Sequence, residues 1–133
     1  MQAPLATPIL SEQERHAFAE GVASFNAGRF FECHDTLEEL WAGIRGPGRD
    51  FFQGLIQVAV AFYHLGGGNL AGAESLLCRA LKRFEPYPAT YFGFDLAAHR
   101  AELGAWLERI RAGVLAEVTI ESLPKWRFDA QAP

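Results

Sequence analysis

The sequence predicts an all-α fold, a compact bundle of about five helices built from helical hairpins. Three observations lead there. Apolar residues recur at helical spacing in five stretches of the 133-residue chain. Glycine- or proline-containing breaks of a few residues separate them, at 26–28, 45–49, 66–69 and 85–88. The one β-prone run in the tail, Val118-Thr119-Ile120, has no second run to pair with. The length fits one domain over 1–133, with a helical core at about 11–112 and a tail, 113–133, of ambiguous structure.

Each helix has its own start and stop. Ser11 with Glu14 reads as a capping box, opening a first helix to about Phe25 with Phe18, Val22 and Phe25 on its inner face. A second helix covers about 29–44. Asp50 with Gln53 reads as a second capping box, opening a third helix to about Leu65. A fourth helix covers about 70–84 and ends where Pro86 disfavours helical geometry in the residue before it. Asp95 is the expected N-cap of a fifth helix to about Arg111, carrying Leu96, Leu103, Trp106, Leu107 and Ile110.

Composition narrows the function classes. Apolar residues make up 50% of the chain and Phe occurs 11 times, which implies a full core, apolar surface buried against a partner, or both. A homo-oligomer is the expected partner, because symmetric self-association is the common case. The net charge of −4, with basic residues scattered among acids, argues against nucleic acid. Residues 51–73 carry no charge, but the helical part stops at Gly66, short of the roughly twenty residues a bilayer requires. No membrane span is expected. Cys33 and Cys78 form no CxxC pair and read as small core residues. The start of the chain has no basic region or long apolar run of a secretory leader, so the expected location is cytoplasmic.

Two helices carry polar residues where apolar ones are expected. On a helical wheel of FFECHDTLEELW, residues 30–41, the apolar arc holds Phe30, Cys33, Leu37, Leu40, Trp41 and Ile44. Glu32, Asp35, Thr36 and Glu39 form the opposite, solvent face. His34 and Glu38 fall between Trp41 and Phe31, which predicts that they face inward, four residues apart and able to touch. On the third helix Gln53, Gln57 and His64 share one narrow stripe, with the small residues Gly54 and Ala61 beside it. If the two helices pack antiparallel, His34, Glu38, Gln53, Gln57 and His64 would meet in one polar cluster. Each has a plainer reading: Gln53 closing a capping box, His34 bonded to Glu38 alone, His64 at a helix C-terminus.

A weak internal repeat adds to this. Overlaying Gly28 on Gly68 sets Phe30 on Leu70, Cys33 on Ala73, Leu37 on Leu77 and Trp41 on Leu81, a period of 40 residues. Two helical hairpins of that kind are similar to tetratricopeptide-type hairpins, although the usual repeat is shorter and comes in at least three copies.

The stretches FNAGRFFECHDTLEELW and FFQGLIQVAVAFYHLGGGNLAGAESLLCRAL, then a proline–tyrosine stretch and FGFDLAA, resemble the family called domain of unknown function 309, over about 18–110. The pattern F-x-x-G-x-F-F-E-x-H-D/E-x-L-E-x-x-W with Q-G-L-I-Q and a following Tyr-His carries the likeness. The resemblance implies small, all-helical, cytoplasmic proteins and no assigned activity. Its signature falls on Glu32, His34, Asp35, Glu38, Trp41, Gln53, Gln57, His64 and Asn69. Asp35 stands where relatives tend to have Glu.

Two functions compete. The first is a binding or interaction module in which the polar cluster fixes helix register and the aromatic segment 87–94, with Tyr87, Tyr91, Phe92 and Phe94, forms a surface for a partner or another copy. The second is a ligand or metal pocket of hydrolase-like chemistry, with His34, Glu38 and His64 as acid–base groups or as ligands to zinc, iron or manganese. In that pocket Gln53, Gln57, Trp41, Tyr63 and Asn69 would contact a small ligand. The binding reading stands slightly ahead.

Overall fold

The computed structural model describes residues 5–129; the ends of the expected 1–133 domain, residues 1–4 and 130–133, lie outside the described residues. Five helices dominate: α1 (Glu12–Asn26), α2 (Phe30–Ala42), α3 (Gly48–Gly66), α4 (Leu70–Phe84) and α5 (Leu96–Ala112). A two-residue pair of strands, β1 (Thr90–Tyr91) and β2 (Phe94–Asp95), joins α4 to α5, and a single 3-10 turn forms at Ile120–Ser122.

Local chemistry sets the ends. Ser11 and Glu14 form the expected capping box. Asp95 caps α5 by accepting from the Ala98 amide. Asn69 caps α4 in the same way, through the Gly72 amide. The second expected capping box is absent. α3 begins two residues earlier than Asp50, behind Pro47, with no side-chain cap, and Asp50 accepts instead from Arg83 of α4 at 2.8 Å.

Contacts between successive helices fit four antiparallel packings. Phe25 touches Phe30 beside the α1–α2 turn. Trp41 donates to the Arg49 carbonyl while Phe31 meets Tyr63 at the other end of α2 and α3. Asp50 pairs with Arg83 across α3 and α4. Phe84 meets His99, and Glu74 pairs with Arg111, at opposite ends of α4 and α5. The C-termini of α1, α3 and α5 therefore point to one end of the bundle. α3 lies at the centre, with most of its side chains buried, including Phe51, Phe52, Leu55, Val58 and Phe62. A Cβ at Gly54 would lie 2.5 Å from Phe84 Cε1, so the small residue beside the polar stripe does seat a close neighbour.

The 40-residue correspondence is local. Gly28 and Gly68 both turn the chain at positive φ, +79° and +80°, and Cys33 with Ala73 and Leu37 with Leu77 are buried in register. Nothing beyond that supports a tetratricopeptide-like repeat.

The β-prone run at 118–120 joins no strand: Thr119 is extended and caps the turn at Ile120–Ser122. One expectation for the irregular segments is corrected. Extended pairing occurs instead at Tyr91 and Phe94, across Phe92 and Gly93 with φ of +53° and +71°, the tight hairpin geometry that needs positive φ at both central residues. Tyr87, Tyr91 and Phe94 are buried. This aromatic segment packs on Phe51 and so forms core, not a surface for a partner. Tyr87 donates to the Pro47 carbonyl and accepts from the Phe51 amide; Tyr91 donates to the Ala6 carbonyl. Among the described residues no helix is long and apolar enough to cross a membrane.

Candidate functional site

The predicted polar cluster divides into two places. His34 and Glu38 do pair, His34 Nε2 lying 2.6 Å from Glu38 Oε2. Glu38 faces solvent, 56% exposed, whereas His34 is half-buried, its side chain 27% exposed and its Nδ1 buried. The wheel went astray by treating Phe31 as an inner boundary. Phe31 is itself exposed, so the pair sits at the edge of the apolar arc. Trp41 is half-buried, with the Arg49 guanidinium 3.8 Å above its ring, and its indole N–H is already used.

The register fixed by Trp41–Arg49 and Phe31–Tyr63 sets Gln53 and Gln57 level with Glu38 and His34 along α2. Gln57 is buried and Gln53 half-buried. Gln57 Oε1 and His34 Nδ1 are both buried atoms without a hydrogen-bond partner. His34 Nδ1 lies 3.4 Å from Asp35 Oδ1, an ion-pair distance whose geometry does not make a hydrogen bond. With Nε2 donating to Glu38, Nδ1 would serve as the base, yet it is closed off from any substrate in solution. The acid–base alternative gains no support from this arrangement.

His64 belongs elsewhere. Its Nδ1 contacts Asn69 Nδ2 at 3.3 Å. Asn69 Oδ1 accepts from the Gly72 amide, which fixes the amide so that Nδ2 donates and His64 Nδ1 accepts. Among the described residues no three His, Cys, Asp or Glu side chains are grouped to hold a metal ion. The expected set of His34, Glu38 and His64 is thus not assembled, because His64 sits two turns beyond Gln57 at the end of α3.

Tyr63, His64 and Asn69 instead line a cleft of about 820 Å³. It opens where the α1–α2 turn, the α3–α4 turn and the chain after α5 converge. Phe30 and Phe62 form its inner wall, and Leu115, Val118, Ile120 and Leu123 its outer one. No lining residue is an acid, lysine or arginine. A cleft of this size with apolar walls and a few polar groups suits a small ligand.

The outer wall is held from behind. Trp126 stacks on Phe25 with ring centroids 3.7 Å apart. Its amide donates to Asn26 Oδ1, and its carbonyl accepts from Asn26 Nδ2. The indole N–H donates to Nε2 of the buried His99 at 3.3 Å. Sequence reasoning missed Trp126, His99 and the whole outer wall. The only signal was the apolar content of an aperiodic tail.

The cysteines stay free. Burial pushes the Cys33 thiol up to about 12, a contact with the Phe25 backbone offsetting part of that. Cys33 is no nucleophile at neutral pH.

Fold and cleft together define a class: an all-α hairpin protein with a cleft at one end whose lining holds no acid, lysine or arginine. Residues 18–76 match the family model described as Domain of unknown function (DUF309). The match takes in the second half of α1, all of α2 and α3, and the first half of α4; the proline–tyrosine stretch and FGFDLAA fall outside it. The chain is 38% identical over 68 residues to the uncharacterized protein YpuF of Bacillus subtilis (strain 168), covering 50% of this chain and 39% of that protein. It is 26% identical over 99 residues to an uncharacterized protein of Aquifex aeolicus (strain VF5), covering 74% of this chain and 28% of that protein. The chain thus spans well under half the length of these relatives.

Proposed function

We propose that the protein is a binding module whose site is the cleft between the two hairpin turns and the 115–123 segment. The observation that supports this reading is the cleft itself, about 820 Å³, which gathers Tyr63, His64 and Asn69 against apolar walls. The ligand is small and largely apolar, with one polar end directed at His64 and Asn69. His34 and Glu38 act on the surface of α2 as a helix-stabilising pair, outside the site.

A neutral, environment-sensitive dye, N-phenylnaphthylamine, tests the reading. Its emission should rise and shift to the blue with the wild-type protein. Val118→Asp, which charges the outer wall, should lower that signal several-fold while the circular dichroism spectrum stays helical. Absence of dye binding, or equal binding by the variant, would overturn the reading.

A second reading has its own support. Phe31 and Tyr63, exposed by 51% and 49%, touch one another on the face formed by α2 and α3. Self-association through this aromatic pair would cover both. Sedimentation velocity over a hundredfold concentration range should show a dimer that Phe31→Ser dissolves; a monomer throughout would exclude it.

A further inference from the structure

The tail that carries the outer wall is fastened at one titratable group. The Trp126 indole can only donate, and its N–H goes to His99 Nε2 at 3.3 Å. His99 is 4% exposed. A neutral imidazole accepts at Nε2 only with its proton on Nδ1. A second proton must therefore enter at Nε2, where it meets the indole N–H and leaves two donors face to face. Around the ring, α4 and β2 present the apolar Phe84 and Phe94. Glu102, one turn along α5, has Oε1 3.8 Å from Nδ1. Asp95, Glu102, Lys125 and Arg127 line a shallow pocket of about 410 Å³ together with His99. Asp95 is engaged with the Ala98 amide, and Lys125 with the Ile120 and Leu123 carbonyls. Glu102 thus stands as the counterion of a charged ring, while Lys125 and Arg127 oppose one.

We propose that protonation of His99 loosens the tail: a proton taken up at Nε2 breaks the Trp126 hydrogen bond and weakens the strap that closes the cleft. Imidazoles change charge between about pH 5 and 8. The docked tail needs Nε2 as an acceptor and the undocked tail does not, so the undocked chain binds more protons. Docking therefore weakens as pH falls through that window and is constant above it. The other ties of Trp126, the Phe25 stack and the two Asn26 hydrogen bonds, do not titrate, so the release is graded and the bundle stays intact. The effect on the cleft rests on the binding reading; the switch itself does not.

Nuclear magnetic resonance on the full chain, from about pH 8 down to about pH 5, tests the switch, with Trp126→Phe identifying the Trp126 indole signal. As His99 gains its second proton, that indole N–H should lose its hydrogen-bonded shift. Amides near Ile120 and Trp126 should then exchange about tenfold faster relative to those of α3, the effect of losing one buried hydrogen bond. His99→Gln keeps an amide oxygen as acceptor and does not titrate, so both changes should disappear in it. An indole signal that stays put while His99 titrates, a His99 that remains neutral to the end of the range, or the same changes in His99→Gln would each overturn the proposal. Should His99→Gln fail to fold, the wild-type titration decides alone. Dye emission separates the cleft from the switch: it should fall with pH in the wild type and hold in His99→Gln. An equal fall in both would assign the loss to His64 in the cleft lining and overturn control of the cleft by His99. A protein that binds no dye at any pH loses the cleft reading, while the indole titration still decides the switch.

Discussion

At the residue scale, the sharpest contrast lies two positions apart in one turn. Gly66 ends α3, and no neighbouring atom lies within 4 Å of a Cβ added there. Gly66→Ala should stabilise the protein by roughly 0.5–1 kcal/mol, the usual helical difference between the two residues. Gly68 has φ +80°, and Gly68→Ala should cost about 1–2 kcal/mol. Thermal melts of both variants should move in opposite directions; movement in the same direction would refute the assignment. Cys33 carries a second expectation. The folded chain keeps its thiol proton up to about pH 12, whereas an unfolded chain begins to lose it near pH 9. Tyr91, also raised by burial to about 12, adds in the same sense. The folded state holds more protons in this window, so its stability falls as pH rises through it and is unaffected below. Urea unfolding at pH 8 and pH 10.5 measures the slope, and a flat profile would contradict it. The pairing of His34 with Glu38 was legible from their spacing. The exposure of Glu38 was not, because a wheel ranks directions without knowing that Phe31 stays in water.

At the element scale, helices and their order were plain in the sequence, since period and breakers agree along α1, α2, α4 and α5. The start of α3 was misplaced because Asp50 has a tertiary partner, Arg83, and a capping motif does not reveal competing partners. The small residue in the polar stripe was informative, and its role lies in packing α4. Gly54→Ala pushes a methyl into the Phe84 ring, and overpacking of that kind costs about 1–3 kcal/mol. A denaturant midpoint unchanged from wild type would show that Phe84 can turn aside. Glu38→Gln, on the exposed side of α2, should shift the same midpoint by no more than about 0.5 kcal/mol.

At the scale of the whole molecule, the cleft is made by parts that no local pattern joins. Gly28, Gly66 and Ile120 come from three distant segments, and the outer wall has neither helical nor strand period. Three residues of the candidate site were therefore visible, Tyr63, His64 and Asn69, and none of it as a cavity. The wall depends on Trp126. Trp126→Ala removes the Phe25 stack and the His99 hydrogen bond, with a loss of about 3–5 kcal/mol, and dye binding at the cleft should vanish with it. Trp126→Phe keeps a ring against Phe25 and should retain dye binding with a smaller loss. If Trp126→Ala binds dye as the wild type does, the wall stands without its anchor.

The tie between Asn26 and Trp126 spans 100 residues. Closing so long a loop is entropically slow compared with joining adjacent helices. The hairpins should therefore assemble first and the tail dock last. In the native ensemble the order reverses: amides near Ile120 and Trp126 should exchange with solvent through a partial opening that leaves α3 protected. The doorway of the cleft would then be a kinetic property of the chain, opened by release of one tryptophan while the bundle behind it remains intact.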